Sequence, residues 1–272
     1  MTAPVVRVPC SIWRPTGASE GMRAVPEETA VAFTYDTATY AVLMATPSDL
    51  EDFAVGFSLT EGVVETADAI EQLEFVESEL GIELRMWLRA PEAAKLSGRR
   101  RRIAGPTGCG LCGIESLAEA MRPPPSVGTG PNFTPDEIMA AIGSLAPSQA
   151  LNRATRAVHA AALWDRSRGL VAVREDVGRH NALDKLAGAL ARSRISAAEG
   201  MLVLTSRVSI EMVQKAAAIG STVIVAVSAP TALAVRMAEA AGITLVAIAR
   251  TDGFEVFTHP HRIQGEQASH VA

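Results

Sequence analysis

The amino-acid sequence predicts an α/β protein built from two domains, and three observations lead to that prediction. The chain has 272 residues, of which 48% are hydrophobic and 20% charged, enough for one large globular domain or two moderate ones. Its second half alternates apolar, strand-like runs with helical stretches, which is typical of βαβ units. Between the halves, the run RPPPSVGTGPNF has four prolines and two glycines and predicts a linker over 123–133.

The first domain, residues 25–122, is predicted to be α+β and to follow an N-terminal extension, residues 1–24. Its strand-like stretches are TAVAFTY, YAVLMAT and IELRMWLR, and its helical stretch is SDLEDFAVGFSLTEG. Ser48 is predicted to cap that helix. Residues 264–272 at the other end of the chain are predicted to form a tail.

The second domain, residues 134–263, is predicted to begin with the helix TPDEIMAAIGSLA, with Thr134 as its N-cap. The strands that follow are AVHAAALWD, LVAVRED, MLVLTS, TVIVAVS and TLVAIAR. The later strands are continuous apolar runs, which are typical of a sheet covered on both faces. Helices are predicted to begin near Gly178, Ser209 and Pro230, each a few residues after a strand, so we expect βαβ connections.

Charge and hydropathy restrict the partners that we expect. The formal net charge is −5, which gives no basic surplus for nucleic acid or an anionic membrane. The N-terminal sequence does not resemble a secretory signal, and no apolar run reaches the ~18 residues of a membrane span. We therefore expect a cytoplasmic protein without a nucleic-acid or membrane partner.

Polar turns follow the strands of the second domain. They read REDVGRHN (174–181), TSRVS (205–209), SAPT (228–231) and, after the last strand, RTDGFEVFTHPHR (250–262). Ligands of open α/β sheets bind outside the carboxyl ends of the strands, where such turns meet helix N-termini. The turns therefore predict a phosphorylated or nucleotide-containing ligand, with anion partners and acceptors at Arg174, Arg179, Arg207, Arg262, Glu175 and Asp176. The adjacent Asp184 and Lys185 are instead interpreted as a solvated helix face.

Two of the three cysteines, Cys109 and Cys112, lie in the glycine-rich stretch GCGLCG, whereas Cys10 is remote in sequence. A reducing compartment favours free thiols over a structural disulfide. The glycines give the loop freedom to move, and the following IESLAEAM is predicted to be helical, so its N-terminus favours thiolate. The arginines at 99–102 can add to this positive field.

Three interpretations of these thiols remain: half of a zinc site, a redox dithiol, and a thiol that carries a chemical group. A zinc site lacks ligands of suitable spacing, since His259 and His261 are too close together for the usual histidine pair, and we expect no permanent metal. GCGLCG also matches the dinucleotide fingerprint but follows no apolar strand, and no H-x-E supports a zinc deaminase. A redox dithiol normally follows a strand directly, so loop mobility favours the carrier.

The chain resembles the FdhD family, the sulfurtransferase accessory proteins of formate dehydrogenase, over roughly residues 25–263. The motifs that carry the resemblance are ATPSDLEDFAVGFSLTEG, GCGLCG, REDVGRHNALDKL, SRVSIEMVQKA, SAPTALAV and FTHPHRI. The resemblance implies a cytidine-deaminase-like, three-layer domain without deaminase zinc ligands, beside the smaller N-terminal α+β domain.

The resemblance also implies a function as a sulfur carrier needed for formate dehydrogenase activity. The C-x-x-C pair would accept sulfur as a persulfide from a cysteine desulfurase and pass it to the molybdenum of Mo-bis(molybdopterin guanine dinucleotide), a bound substrate. The first cysteine of the pair, here Cys109, would carry the persulfide with Cys112 as its helper.

The segment matching FTHPHR is implied to contact the cofactor through Phe257, Thr258, His259, Pro260, His261 and Arg262. His261 departs from the family pattern, which has Glu or Gln at this position. The implied partners are a cysteine desulfurase and formate dehydrogenase, and the chain could form a homodimer. The alternative function is a chaperone that binds the cofactor without covalent sulfur transfer.

Overall fold

The computed structural model describes residues 3–103 and 121–265, with the backbone alone for 97–103. Within these residues the protein is a mixed α/β structure with three β-sheets and seven α-helices, so the predicted α/β class is confirmed. The cytidine-deaminase-like arrangement stays a prediction.

The described α-helices and β-strands include every one that the sequence predicts there, together with six that it does not. The helices are α1 (Leu50–Thr60), α2 (Ala90–Ile103), α3 (Pro135–Ser148), α4 (Ala150–Thr155), α5 (Arg179–Arg192), α6 (Ile210–Ala218) and α7 (Ala232–Ala241). The strands are β1 (Val5–Arg14), β2 (Gly17–Pro26), β3 (Thr29–Tyr35), β4 (Ala38–Ala45), β5 (Ile70–Ser78), β6 (Gly81–Leu88), β7 (His159–Asp165), β8 (Gly169–Asp176), β9 (Met201–Leu204), β10 (Val223–Ala226), β11 (Thr244–Arg250) and β12 (Gly253–Val256). The unpredicted elements are β1, β2, β5, β12, α2 and α4, and the antiparallel hairpin β1–β2 occupies the predicted N-terminal extension.

The chain divides into two compact units that alternate along the sequence. Of the described residues, the first unit comprises those within 1–122, 149–160 and 174–193, and the second comprises those within 123–148, 161–173 and 194–272. These units differ from the predicted division into 25–122 and 134–263, because two segments of the predicted second domain belong to the first unit.

The reason for this division is a close crossing of α1 and α5 within the first unit. A Cβ atom at Gly56 of α1 would lie 1.7 Å from the carbonyl oxygen of Asp184. A Cβ atom at Gly188 of α5 would lie 1.8 Å from the carbonyl oxygen of Asp52. Only glycine fits at either position, so the two helix backbones are in direct contact and α5 packs with α1.

The core of the first unit includes α1 and a four-stranded sheet of order β4-β3-β6-β5. Alternate residues of β3, namely Val31, Phe33 and Tyr35, are fully buried. The Phe33 ring stacks on that of Phe57 in α1, with centroids 4.0 Å apart, and meets the ring of Phe53 edge-on. The period-two pattern of β3 thus provides the apolar face against which α1 packs.

The second unit contains most of a six-stranded sheet of order β12-β11-β10-β9-β7-β8, and the chain passes between the units within β7 and β8. Strands β9, β10 and β11 are parallel, whereas β7 is antiparallel to β9 and β12 is antiparallel to β11. Every residue of β9 and β10 is buried, which confirms that these apolar runs form a sheet covered on both faces. Helices α6 and α7 connect the three parallel strands, which confirms the βαβ connections.

The two predicted helix caps have different outcomes. The backbone N–H of Thr134 donates to Glu137 Oε2 at 2.8 Å, and the N–H of Glu137 donates to Thr134 Oγ1 at 3.3 Å, so the predicted N-cap is confirmed as a reciprocal capping box. The predicted cap at Ser48 is wrong. Helix α1 begins at Leu50 after Asp49, whose left-handed backbone makes no side-chain cap.

The predicted linker, residues 123–133, contains neither helix nor strand but is bound to the second unit. The N–H of Val127 donates to the carbonyl oxygen of Ala241 at 2.9 Å, and the N–H of Phe133 donates to that of Arg262 at 2.8 Å. The Phe133 side chain is 1% exposed. This segment is therefore part of the packed unit.

Candidate functional site

The two cysteines of GCGLCG, Cys109 and Cys112, lie outside the described residues, so their sulfur-carrying role stays a prediction. The backbone upstream of them is helical, since α2 includes the arginines at 99–102 and ends at Ile103. Cys10, on β1, is partly exposed.

Two of the predicted polar turns meet at the carboxyl ends of β9 and β10. The N–H of Thr231 donates to the carbonyl oxygen of Val208 at 2.9 Å, which joins SAPT to TSRVS. Arg207 is exposed at this edge. The hydroxyl of Ser209 is buried and has no hydrogen-bond partner among the described residues. The predicted proximity of these two turns is confirmed, and Arg207 is accessible to a ligand there.

The segment 257–262 lies at the opposite end of β11. The N–H of Phe257 donates to the carbonyl oxygen of Leu245 at 2.8 Å, and the Thr258 hydroxyl donates to that of Ile243 at 2.6 Å. The prediction that this segment joins the turns at the carboxyl ends of the strands is wrong. The chain reverses after β11, and the antiparallel β12 carries it back to the beginning of β11.

Arg262 is 6% exposed, and its guanidinium is bound by the protein itself. It donates to the carbonyl oxygens of Gly128, Thr129 and Gly242 and to Thr244 Oγ1 at 2.6–3.1 Å. Burial lowers the pKa of the guanidinium from its usual value. Four of the five N–H groups are thus used internally, which does not support the prediction of Arg262 as an anion partner.

The accessible side chains of this segment are those of Phe257, Pro260 and His261. Thr258 is buried, and Nε2 of His259 lies 2.9 Å from the carbonyl oxygen of Glu239. Contact between this segment and a nucleotide cofactor stays a prediction.

Asp176 is fully buried at the end of β8 and accepts four hydrogen bonds from the first unit. Its Oδ2 accepts from the N–H of Thr46 at 3.0 Å and from Lys185 Nζ at 2.6 Å. Its Oδ1 accepts from the N–H of Gly178 at 2.7 Å and from Asn181 Nδ2 at 2.9 Å. The structure therefore does not support Asp176 as a ligand acceptor, because internal donors already occupy both oxygens.

The interpretation of Asp184 and Lys185 as a solvated helix face is wrong, since their exposures are 1% and 0%. Lys185 Nζ also donates to the carbonyl oxygen of Thr46 at 2.8 Å, and Asp184 accepts from the Thr60 hydroxyl at 2.6 Å. The close crossing of α1 and α5 turns this face of α5 inward, where each charge needs a polar partner.

Arg174 and Glu175 are also engaged within the first unit. Arg174 pairs with Asp52 at 2.7 Å and with Asp49 at 3.5 Å. The two carboxylate oxygens of Glu175 each accept an N–H from the first turn of α4 at 2.8 Å. Both residues hold segments of the first unit together, and neither presents the vacant acceptor or cation that the sequence predicts.

Arg179, the first residue of α5, differs from its neighbours. Its Nε is buried and has no hydrogen-bond partner among the described residues, and the same is true of Ser48 Oγ and Gln149 Nε2. The pKa of His159 is lowered by burial and then by the positive charge of Arg179, against the opposing effect of Asp176. The sequence analysis predicted Arg179 as an anion partner and Ser48 only as a helix cap. It did not single out Gln149 or His159, which no motif marks.

No group of three or more His, Cys, Asp or Glu side chains that could hold a metal ion occurs in the described part of the chain, which omits Cys109 and Cys112. The expected lack of a permanent metal therefore stays a prediction. Among the same residues, none of the helices has the length and apolar character required to cross a membrane.

Comparison with known proteins gives several close relatives. The chain is 53% identical to the sulfur carrier protein FdhD of Agrobacterium fabrum, over 89% of this chain and 90% of that protein. It is 53% identical to the protein of the same name from Brucella abortus, over 92% of this chain and 93% of that protein. It is 51% identical to that from Cupriavidus necator, over 89% of this chain and 84% of that protein.

A solved structure supports the same relationship. A protein from Desulfotalea psychrophila, assigned as a formate dehydrogenase accessory protein, matches with a TM-score of 0.76 at 27% identity, over 96% of this chain and 100% of that one. The model of the FdhD/NarQ family matches residues 26–264, which include every polar turn described above and both cysteines of GCGLCG. The chain therefore belongs to the FdhD/NarQ family.

Proposed function

We propose that this protein is a sulfur carrier that holds sulfur as a persulfide on Cys109 and serves the maturation of formate dehydrogenase. The observation that carries this proposal is the 53% identity, over 89% of the chain, to a relative named as a sulfur carrier. Both C-x-x-C thiols lie within the range matched by the family model. The assignment of the solved relative as a formate dehydrogenase accessory protein supports the client.

The donor is a cysteine desulfurase, and loading is a thiol exchange. The Cys109 thiolate attacks the outer sulfur of the donor's persulfide. The sulfur–sulfur bond of the donor breaks, its cysteine leaves as a thiolate, and a new sulfur–sulfur bond forms on Cys109. The transferred sulfur keeps its oxidation level, so loading needs no external oxidant.

Delivery uses the second thiol. The Cys112 thiolate attacks Sγ of Cys109, which forms a Cys109–Cys112 disulfide and releases the outer sulfur as hydrosulfide. The receiving substrate is the molybdenum of Mo-bis(molybdopterin guanine dinucleotide). A cellular dithiol then reduces the disulfide with two electrons, which restores both thiols. A reducing cytoplasm is the compartment where this cycle can turn over.

The cofactor contacts the second unit at side chains that are accessible. Phe257, Pro260 and His261 are exposed on segment 257–262, and Arg207 is exposed at the two joined turns. These side chains offer an aromatic face and a cation, which suit a guanine ring and its phosphates.

Sulfur loading is tested with a cysteine desulfurase, labelled cysteine and intact-mass spectrometry. The wild-type protein should gain one sulfur, and the gain should persist in Cys112→Ser and vanish in Cys109→Ser. Cys10→Ser is the matched control, because it removes a partly exposed thiol outside the pair and should leave loading unchanged. The reverse pattern for Cys109 and Cys112 would exclude Cys109 as the acceptor.

The second candidate function is a chaperone that binds the cofactor without covalent sulfur transfer. The internal network that fixes the turns favours a preformed binding surface, which this function also needs. A protein that binds guanine nucleotide by calorimetry but gains no sulfur from the desulfurase would be such a chaperone.

A further inference from the structure

The hairpin β1–β2, residues 5–26, forms an arm of the first unit. Its strands pair residue by residue along their whole length. Near its base, Arg23 donates to the carbonyl oxygen of Thr155 in α4 at 3.4 Å. All of residues 9–22 are exposed or partly exposed. A two-stranded hairpin is at best marginally stable by itself in water, so an arm of this length points to a further surface that covers it.

One face of the arm carries an apolar stripe. Pro9 lies opposite Met22, and Trp13 lies opposite Ala18. Opposite residues of a ladder share a face, as do residues two apart along a strand, so these four side chains lie on one face. Trp13 is 81% exposed and Met22 is 51% exposed. Trp side chains are largely buried on average and are enriched, like Met, at protein interfaces, so this face has the character of a docking surface.

The arm docks by this face rather than by adding a strand. Among the described residues, β1 and β2 pair only with each other, so each has a free edge. Pro9, in the middle of β1, lacks the N–H that a further strand needs, and Gly21 weakens the edge of β2.

The arm is basic, although the protein as a whole is acidic. Residues 5–26 contain three arginines and one glutamate, a net charge of +2, whereas the whole chain has a net charge of −5. Arg7 lies on the same face as Trp13, and Arg14 follows Trp13 at the tip. The arm therefore fits an acidic surface that also exposes apolar side chains.

A surface of this kind occurs on the first unit itself, at β5 and the turn that follows it. Strand β5 is an edge strand of the four-stranded sheet. Residues 70–80 contain four glutamates, at 71, 74, 77 and 79, and no basic residue, and all four are exposed. Phe75 is 44% exposed and Leu80 is 90% exposed. The arm of the same chain does not cover these side chains, so the surface is available to the arm of another copy.

We propose that the arm docks on the β5 surface of a second copy of this chain. Trp13 and Met22 pack against Phe75 and Leu80, and the arginines of the arm lie among the glutamates of residues 70–80. Residues 5–25 precede the range matched by the family model, so this surface lies beyond the shared sequence, and the proposal does not rest on the sulfur-carrier function.

The area of such a contact is sufficient for a stable pair. In a two-fold pair each copy gives one arm and receives one, so the contact is made twice. A strand of ten residues extends about 34 Å and a two-stranded ribbon is about 10 Å wide, so the two contacts bury about 1,300 Å² over both copies. Specific interfaces bury about 1,200–2,000 Å² in total.

The test is analytical ultracentrifugation of the full-length protein under reducing conditions, at about 1–100 µM. The wild type should form dimers that weaken as the salt concentration rises, because the paired charges are exposed. Arg7→Glu/Arg14→Glu reverses the charge of the arm, and Glu71→Arg/Glu79→Arg reverses two charges of the β5 surface. Each should weaken the dimer about tenfold or more. Arg89→Glu is the matched control, because it reverses an exposed charge of the same unit outside both surfaces and should dimerise as the wild type does.

Mixing the two charge variants separates this contact from a general loss of structure. In the mixed pair the reversed arm meets the reversed β5 surface, and the unchanged arm meets the unchanged β5 surface, so both contacts are attractive. The mixture should therefore dimerise as tightly as the wild type, although each variant alone is mostly monomeric. Trp13→Ala removes the exposed ring without a charge change and should weaken the dimer about tenfold or more.

The proposal is overturned if the wild type stays monomeric over this range, if both charge variants keep the wild-type affinity, or if mixing them restores no dimer. Binding of a monomeric wild type to vesicles of anionic phospholipid, lost in Trp13→Ala, would assign the arm to a membrane surface and would also overturn it. Sulfur loading of Cys109 is measured independently, so failure of either proposal leaves the other intact.

Discussion

Replacing Lys185 with Met should destabilise the protein strongly, because Lys185 and Asp176 form an ion pair in which both side chains are fully buried. Lys185 Nζ lies 2.6 Å from Asp176 Oδ2 and 2.8 Å from the carbonyl oxygen of Thr46. Methionine fills a similar volume but leaves a buried carboxylate without its cation. Breaking one partner of a buried pair costs about 3–5 kcal/mol of unfolding free energy.

Three other donors still bind the Asp176 carboxylate in this variant, which reduces the cost. The variant also loses the cation–π contact of the Lys185 ammonium, which lies 5.4 Å from the centroid of the Phe53 ring, and this loss increases the cost. We therefore expect a loss of at least about 3 kcal/mol, a large share of the 5–15 kcal/mol of a typical domain. The double variant Asp176→Asn/Lys185→Met removes both charges and should recover part of the loss.

The assay is urea unfolding followed by circular dichroism at neutral pH. Lys95→Met is the matched control, since the Lys95–Glu65 pair is largely exposed and its loss should change the midpoint little. The reasoning is refuted if Lys185→Met unfolds at the same urea concentration as Lys95→Met. It is also refuted if the double variant is as unstable as the sum of the two single variants.

Three further outcomes are expected. Gly188→Ala should lower the unfolding free energy by about 1–3 kcal/mol or more, because its Cβ would lie 1.8 Å from a carbonyl oxygen of α1. Gly143→Ala, whose Cβ would have no atom within 4 Å, should be neutral or stabilising in the same urea titration. Equal effects of the two substitutions would contradict the close crossing of α1 and α5. Arg262→Met should lower the melting temperature by several degrees, since it removes four internal hydrogen bonds, and an unchanged melting temperature would show that those bonds contribute little. Arg166 lowers the pKa of Glu137 from 4.5 to about 2, so this pair should stabilise the fold fully above pH 4.5 and lose its effect as the pH falls towards 2. The urea midpoint of Glu137→Gln should therefore be lower than that of the wild type at neutral pH and should approach the wild-type value in acid. A difference between the two midpoints that stays constant with pH would disprove this linkage.

Local and periodic features could be predicted from the sequence alone. The apolar runs of β9, β10 and β11 predict their strands because a sheet covered on both faces needs apolar residues throughout. Thr134 and Glu137 predict the start of α3 because a capping box involves only residues three apart. The C-x-x-C pair and the motifs of the FdhD resemblance predict the family, which the comparisons confirm, because these motifs are contiguous in sequence.

Contacts between distant segments were decided only by the tertiary structure. Gly56 and Gly188 are ordinary helix residues in sequence, and only their meeting places α5 in the first unit and buries Asp184 and Lys185. The position of Arg262 in a polar stretch after the last predicted strand suggests an anion partner. The reversal of the chain between β11 and β12 instead places its guanidinium against main-chain carbonyl oxygens. Whether a polar side chain faces a ligand or the protein depends on which acceptors the rest of the chain brings within about 3 Å, and that information is not local in sequence.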